Sequence, residues 1–185
     1  MNDLLRQIAD LSADRRELFE RRLRQEGTGL RSPILPRGGT GEVPLSFAQE
    51  QLWFLDQLQP GNPWYNIAAS VGFHGRLDPV ALEQVVRALV VRHEILRTAF
   101  VARNGQPVQT VAPDVGLEMP IVDLRGLPAG EREAMARELA VEEARKPFDL
   151  TRGPLLRTRL LRLADDEHRL LLTVHHLAAD GWSMR

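Results

Sequence analysis

Two adjacent imidazoles close the most apolar run of the chain. His175 and His176 follow Leu170, Leu171, Leu172, Thr173 and Val174, and they lead into Leu177, Ala178, Ala179, Asp180 and Gly181. Imidazole titrates closest to neutrality of all unperturbed side chains, so it can take a proton from an amine or alcohol as that group attacks. An apolar strand ending in imidazoles and a glycine-containing loop puts a base at the rim of a sheet, where substrate reaches it. Adjacent strand residues face opposite sides. If the extended geometry persists to the strand end, one imidazole serves chemistry and the other serves structure. Asp180 has two readings at this stage: it orients an imidazole as in a hydrolase triad, or it pairs with an arginine and holds the loop.

Other chemistries fit less well. A zinc site needs three protein ligands converging on one point, and no third partner accompanies the two histidines, so no metal is expected. The chain has no cysteine, which removes disulfides, thiolate metal sites and cysteine nucleophiles. No Gly-x-Ser-x-Gly elbow presents a serine, which favours direct attack by a bound amine or alcohol over an acyl-enzyme. The other histidines read as structural. His74 beside Gly75 and His168 in an acidic turn are expected at the surface, and His93, between Arg92 and Glu94, sits at a helix end. Phe47, Trp53, Phe54 and Trp64 lie in or beside apolar stripes and read as core aromatics.

The strand carrying the imidazoles needs partners. Arg169 to Val174 pairs with Leu155 to Leu163 across the turn Asp165-Asp166-Glu167, giving the expected central hairpin. A second hairpin joins Thr98–Ala102 to Val108–Ala112 at Asn104-Gly105. Tyr65 to Gly75 alternates as a half-buried strand, and Leu117 to Val122 is a further strand candidate. Ser46 and Gln49 form a capping box ahead of Leu52, Trp53, Leu55 and Leu58, with Pro60-Gly61 ending that helix. Asp78-Pro79 starts a helix that runs to His93 with Leu82, Val85, Val86 and Leu89 on one stripe. Glu131 to Arg145 is helical by propensity, and Pro147 closes it. These elements predict an α/β (α+β) fold, a mixed sheet flanked by helices.

The 185 residues suffice for one domain and an appendage. Residues 1–26 carry apolar stripes (Leu4, Leu5, Ile8, Leu11, then Leu18, Phe19, Leu23) on an otherwise charged segment, expected as a helical linker or docking piece. Residues 27–41 read as a flexible linker, and 42–185 as the globular body. A net charge of −1 argues against a nucleic-acid partner. No apolar run approaches the ~20 residues of a membrane span, and the start lacks a signal peptide, so a soluble, cytoplasmic chain is expected.

Three segments carry a resemblance. Leu45-Ser-Phe-Ala-Gln-Glu-Gln-Leu-Trp-Phe-Leu55, Arg92-His-Glu-Ile-Leu-Arg-Thr-Ala-Phe100 and His175-His-Leu-Ala-Ala-Asp-Gly-Trp-Ser183 resemble, in order, three motifs of the condensation domain of nonribosomal peptide synthetases. The last matches the active-site pattern His-His-x-x-x-Asp-Gly. The resemblance covers Glu42 to Arg185 and implies one chloramphenicol acetyltransferase-like lobe of a two-lobed domain, with the active site in a tunnel between the lobes.

The family's activity, in antibiotic and other secondary-metabolite biosynthesis, joins a donor acyl or peptidyl thioester to the amine of an acceptor aminoacyl thioester. Both arrive on the phosphopantetheine arms of carrier proteins, and the chain itself binds no cofactor. By resemblance, His176 is the catalytic residue, as general base or as an orienting group. His175 and Asp180 support the loop, Asp180 through an ion pair with an arginine, while Gly181 shapes the site by its small size and its N–H. Trp182 and Ser183 lie at the tunnel wall, and Ser46, Arg92 and Arg97 are scaffold. Heterocyclising relatives carry aspartates where His175 and His176 stand, which disfavours that activity. The wording around Asn62 to Asn66 is similar to domains taking an L-configured donor, and epimerisation domains share the last motif.

A complete domain of this family is more than twice as long as the matching region, so the C-terminal lobe, with the partner of Asp180, is expected to be absent and the isolated lobe inactive. Two alternatives accompany this reading. The chain is an interaction module whose residues 1–26 dock to an upstream synthase or carrier protein, or it is a stand-alone acyltransferase that closes its site with a second subunit.

Overall fold

The computed structural model describes residues 41–113 and 116–183, with Ser12 and Arg15 standing alone before them. The helical segment expected at 1–26 and the linker at 27–41 lie outside the described residues, apart from Ser12, Arg15 and Gly41. The elements are β1 (Val43–Pro44), α1 (Phe47–Leu58), β2 (Asn66–His74), α2 (Pro79–Arg92), a 3-10 turn (Glu94–Arg97), β3 (Thr98–Arg103), β4 (Gln106–Val111), β5 (Ile121–Asp123), α3 (Ala129–Arg145), β6 (Leu156–Arg162) and β7 (Glu167–His175).

Local chemistry sets most of these boundaries. The Ser46 hydroxyl accepts the Gln49 N–H at 3.3 Å while the Gln49 side chain accepts the Ser46 N–H at 2.9 Å, the reciprocal cap expected of α1. The Asp78 carboxylate accepts the N–H groups of Val80 and Ala81, with Pro79 at the first helical position of α2. Asn104 and Gly105, at φ of 52° and 78°, supply the paired left-handed turn that joins β3 to β4.

The strands form a three-stranded sheet in the order β1-β4-β3 and a four-stranded sheet in the order β2-β7-β6-β5. In the larger sheet β5 runs parallel to β6 and the other pairs are antiparallel. The β6-β7 hairpin is central, and the parallel pair is joined by a crossover containing α3. Alternation sorts side chains to two faces. Even positions of β6 and β7, including Leu156, Leu160, Leu170 and Val174, pack in clusters with Val86, Val90 and Leu82 of α2. Odd positions Leu161 and Leu171 pack with Ala136, Leu139 and Ala140 of α3.

Three expectations are corrected. His168 is 4% exposed, not a surface residue. Pairing of His74 with Glu167 begins β7 two residues before the expected start at Arg169, and this carries His168 inward opposite Phe73. The strand expected at Leu117–Val122 is reduced to β5. Leu117 and Met119 are buried between exposed neighbours, which imitates strand alternation, but Pro120 has no N–H to give a ladder and pairing starts beyond it. Among the aromatics, Trp53 packs on the core, whereas Phe47, Phe54 and Trp64 are exposed at 76%, 57% and 70%. The helix rests on Leu52 and Trp53, a stripe narrower than its apolar content. Among the described residues no helix is long and apolar enough to cross a membrane.

Candidate active site

The register of β7 runs without interruption to its last residue, where His175 lies opposite Asn66 of β2. The His175 N–H donates to the Leu155 carbonyl at 3.0 Å, and the His176 N–H donates to the Tyr65 carbonyl at 2.8 Å. The strand ends at His175 and His176 opens the turn, but their N–H groups still donate to opposite neighbours, and the two side chains part. His175 is 3% exposed and His176 is exposed.

The buried ring is locked. Its Nδ1 accepts the Leu177 N–H at 3.2 Å, so the proton of the neutral ring sits on Nε2. Tyr65 and Phe148 meet it edge-on, with ring centroids at 6.4 and 5.8 Å. Burial pushes the His175 pKa down to about 4, helped by the nearby charges of His176 and Arg157, so the ring is neutral at neutral pH. A ring in this state has its one free lone pair already engaged with the Leu177 N–H.

Beyond the imidazoles the loop closes on itself. Leu177 is buried with Leu45, Phe100, Leu150 and Leu155, and the Ala178 N–H donates back to the His175 carbonyl at 2.8 Å. One oxygen of Asp180 accepts the Ser183 hydroxyl at 2.7 Å, the Ser183 N–H at 2.8 Å and the Trp182 N–H at 3.1 Å. These bonds, that of the Ser183 side chain foremost, hold the carboxyl below its ordinary range. Among the described residues no arginine pairs with Asp180; its carboxylate caps the turn at 180–183. A Cβ at Gly181 would meet nothing within 4 Å, so the described residues place no steric demand there.

A cavity of about 460 Å³ opens on the even face of β7, walled by Leu89, Leu96, Leu156, Leu172 and Val174, with Trp182 and Ser183 among its lining. His93 also lines it, and His176 does not. Among the described residues no three His, Asp or Glu side chains converge as metal ligands.

Sequence reasoning missed the residues that brace this loop. Gln49 was legible as a cap, but its Nε2 also donates to the Leu177 carbonyl at 3.3 Å, while its Oε1 accepts from Gln109 at 3.1 Å. That ties α1 and β4 to the loop, and the one available signal was the place of Gln49 inside the first motif. Arg97 behaves as scaffold: its guanidinium donates to the Ala112 carbonyl and lies 3.6 Å from Glu94. Asn66, Glu143, Phe148 and Arg157 carried no local signal.

A profile of the condensation domain matches residues 40–185. The chain belongs to that family. It is 47% identical over 186 residues to phosphinothricin tripeptide synthetase PhsC of Streptomyces viridochromogenes, covering 100% of this chain and 17% of that protein. It is 50% identical over 163 residues to a linear gramicidin synthase protein of Brevibacillus parabrevis, covering 88% of this chain and 2% of that protein. The chain thus spans a small part of the length of either relative. Among solved structures, the starter condensation domain of rhizomide synthetase RzmA superposes with a TM-score of 0.70 at 28% identity, over 77% of this chain and 34% of that one. A mutant of that domain was solved in complex with C8-CoA and Leu-SNAC, and superposes with a TM-score of 0.69. The mixed α/β lobe is therefore the chloramphenicol acetyltransferase-like fold of condensation domains.

Proposed function

We propose that this chain supplies the N-terminal lobe of a condensation domain that forms an amide in cytoplasmic nonribosomal peptide synthesis. The amine of an acceptor aminoacyl thioester attacks the carbonyl of a donor acyl or peptidyl thioester. A C–N bond forms, the C–S bond breaks, the amine gives up a proton and the departing thiolate takes one. Both substrates ride on phosphopantetheine arms of donor and acceptor carrier proteins, so the chain needs no cofactor of its own. His176 is the group that meets the attacking amine. The observation that carries this reading is the division of the histidine pair: one imidazole is exposed at the rim of the sheet, and its neighbour is buried with Nδ1 already engaged.

His175, Asp180 and Gly181 belong to the loop that presents His176, and Trp182 and Ser183 form the tunnel wall. The imidazoles at 175 and 176 favour condensation over heterocyclisation, and the wording around Asn62 to Asn66 favours an L-configured donor. The complex of the rhizomide synthetase domain with C8-CoA and Leu-SNAC supports a thioester donor and an aminoacyl acceptor here. A second lobe closes the tunnel, so the 185-residue chain alone turns over little or nothing.

The test is amide formation from two loaded carrier proteins. It compares the chain alone with a condensation domain in which residues 40–185 replace the matching segment of the Streptomyces relative. The chimera should form product and the chain alone should stay at background. His176→Ala should lower chimera turnover by about 100-fold or more. Unchanged turnover in His176→Ala would overturn the assignment, and turnover by the chain alone equal to the chimera would overturn the need for a second lobe. Binding of either carrier protein lost on deletion of residues 1–41, with the lobe still folded, would instead assign docking to that segment.

A further inference from the structure

Behind His175 runs a chain of contacts that the proposed chemistry does not use. Glu143, near the end of α3, is 4% exposed, and its carboxylate accepts from Arg157 Nε at 2.7 Å and lies 3.3 Å from Arg159. The Arg157 guanidinium lies over the Phe148 ring, 3.8 Å from its centroid, and the Phe148 ring meets His175 edge-on at 5.8 Å. Arg157 and His175 are odd positions on the same face of the β6-β7 hairpin.

The same guanidinium fixes where Phe148 stands. It donates to the carbonyls of Glu143 at 3.1 Å, Lys146 at 2.6 Å and Pro147 at 3.2 Å, groups in the last turn of α3 and just past its end. Asn66, opposite His175 on β2, reinforces this with donations to the Ala144 and Lys146 carbonyls at 2.8 and 2.9 Å. Four directed bonds and a stacked plane require the guanidinium fork; an ammonium matches its charge and not its shape.

We infer that Arg157 is a positioning residue for the active-site loop, acting through Phe148 to hold the His175 ring and through that ring the Leu177 N–H with which the loop begins. That the loop is the reacting one rests on the function proposed above. The hydrogen bond explains why a cation belongs here. Nδ1 accepts the Leu177 N–H only while it carries no proton, and protonating His175 would break that bond. The charge of Arg157 opposes that protonation. The titratable groups around the ring are Tyr65 ahead of β2, Arg157 on β6 with its partner Glu143 on α3, and His176 on the same chain segment.

The experiment is nitrogen-15 NMR of the imidazoles in the 185-residue chain, with amide exchange measured at Leu177. In the native chain the His175 ring should carry its proton on Nε2 and remain neutral down to about pH 5. The pair Glu143→Gln with Arg157→Met, which removes the fork, should speed Leu177 exchange about tenfold, while the His175 midpoint, set first by burial, should stay low. Arg157→Lys should keep the low midpoint and still speed Leu177 exchange, because it lacks the fork. Phe148→Leu leaves the ion pair in place and should speed Leu177 exchange as well, which decides the matter if the double variant does not fold. A merely structural Arg157 would change the melting temperature alone. Folded variants with native His175 nitrogen shifts and native Leu177 exchange would overturn the inference. None of these readouts uses turnover, so failure here leaves His176 as the reacting group, and failure of His176→Ala to lose activity leaves this relay intact.

Discussion

The two faces of the four-stranded sheet solve the same burial problem differently. Under α2 the contacts are aliphatic, with Val86, Val90, Leu156, Leu160, Leu170 and Val174 forming two clusters beside an open cavity. Under α3 an aliphatic patch of Leu161, Leu171 and Ala136 shares the face with ionic contacts, Glu143 with Arg157 and Arg159, and Glu133 with Arg169. Apolar packing is non-directional. A buried carboxylate demands its partners at set positions. The face that must hold a ring in one orientation is accordingly the ionic one, and His175 is on it. A cavity of about 460 Å³ borders the aliphatic face, lined in part by the loop residues Trp182 and Ser183, and a smaller one of about 210 Å³ touches Glu143, Arg157 and Arg159 on the ionic side.

Breaking each face separately tests this contrast. The largest effect is expected from Glu143→Ala, which strips the half-buried guanidinium groups of Arg157 and Arg159 of their shared, buried carboxylate and should destabilise the lobe by about 4 kcal/mol in urea unfolding. Replacing both partners, Glu143→Leu with Arg157→Met, should recover only part of that loss, since Arg159 loses the same carboxylate and the carbonyls that Arg157 met lose their donor. On the other face Leu160→Ala, at a position with 0% exposure, should cost about 3 kcal/mol, and no second substitution by a polar residue should rescue it.

A pH experiment sharpens the contrast. His175 is held near 4, below the ordinary 6.5, so the unfolded chain binds the extra proton between those values. Its contribution is full above about pH 6.5 and is lost as pH falls toward 4, by about 3 kcal/mol, a loss that His175→Asn should remove from the pH profile of urea stability. The smallest effect is expected at a cap remote from the ionic face: Asp78→Ala, losing the bonds to Val80 and Ala81, should cost about 1 kcal/mol.

What was legible in the sequence was local. The caps of α1 and α2, the Asn104-Gly105 turn and the central hairpin are written within a few neighbouring residues, and each formed as its chemistry dictates. Alternation at the end of β7 even divided the two histidines in advance, although which served which role came from the motif. What was not legible depends on distant partners. The bond from Gln49 to Leu177 spans 128 positions, and that from Asn66 to Ala144 spans 78. Arg157 looked like any other polar position of an alternating strand until α3 placed Glu143 against it. His168 was misplaced because charge in the turn outweighed a pairing with β2 that no local pattern reveals.

The central claim is that His176 is presented outward while His175 is held inside. Carbethoxylation of the 185-residue chain near neutral pH, followed by mass spectrometry of each histidine, reads this directly. The account predicts that His176 reacts at a rate comparable to the exposed His74 and His93, with His175 slower by about 100-fold through local opening. Modification of His175 ahead of His176 would contradict it.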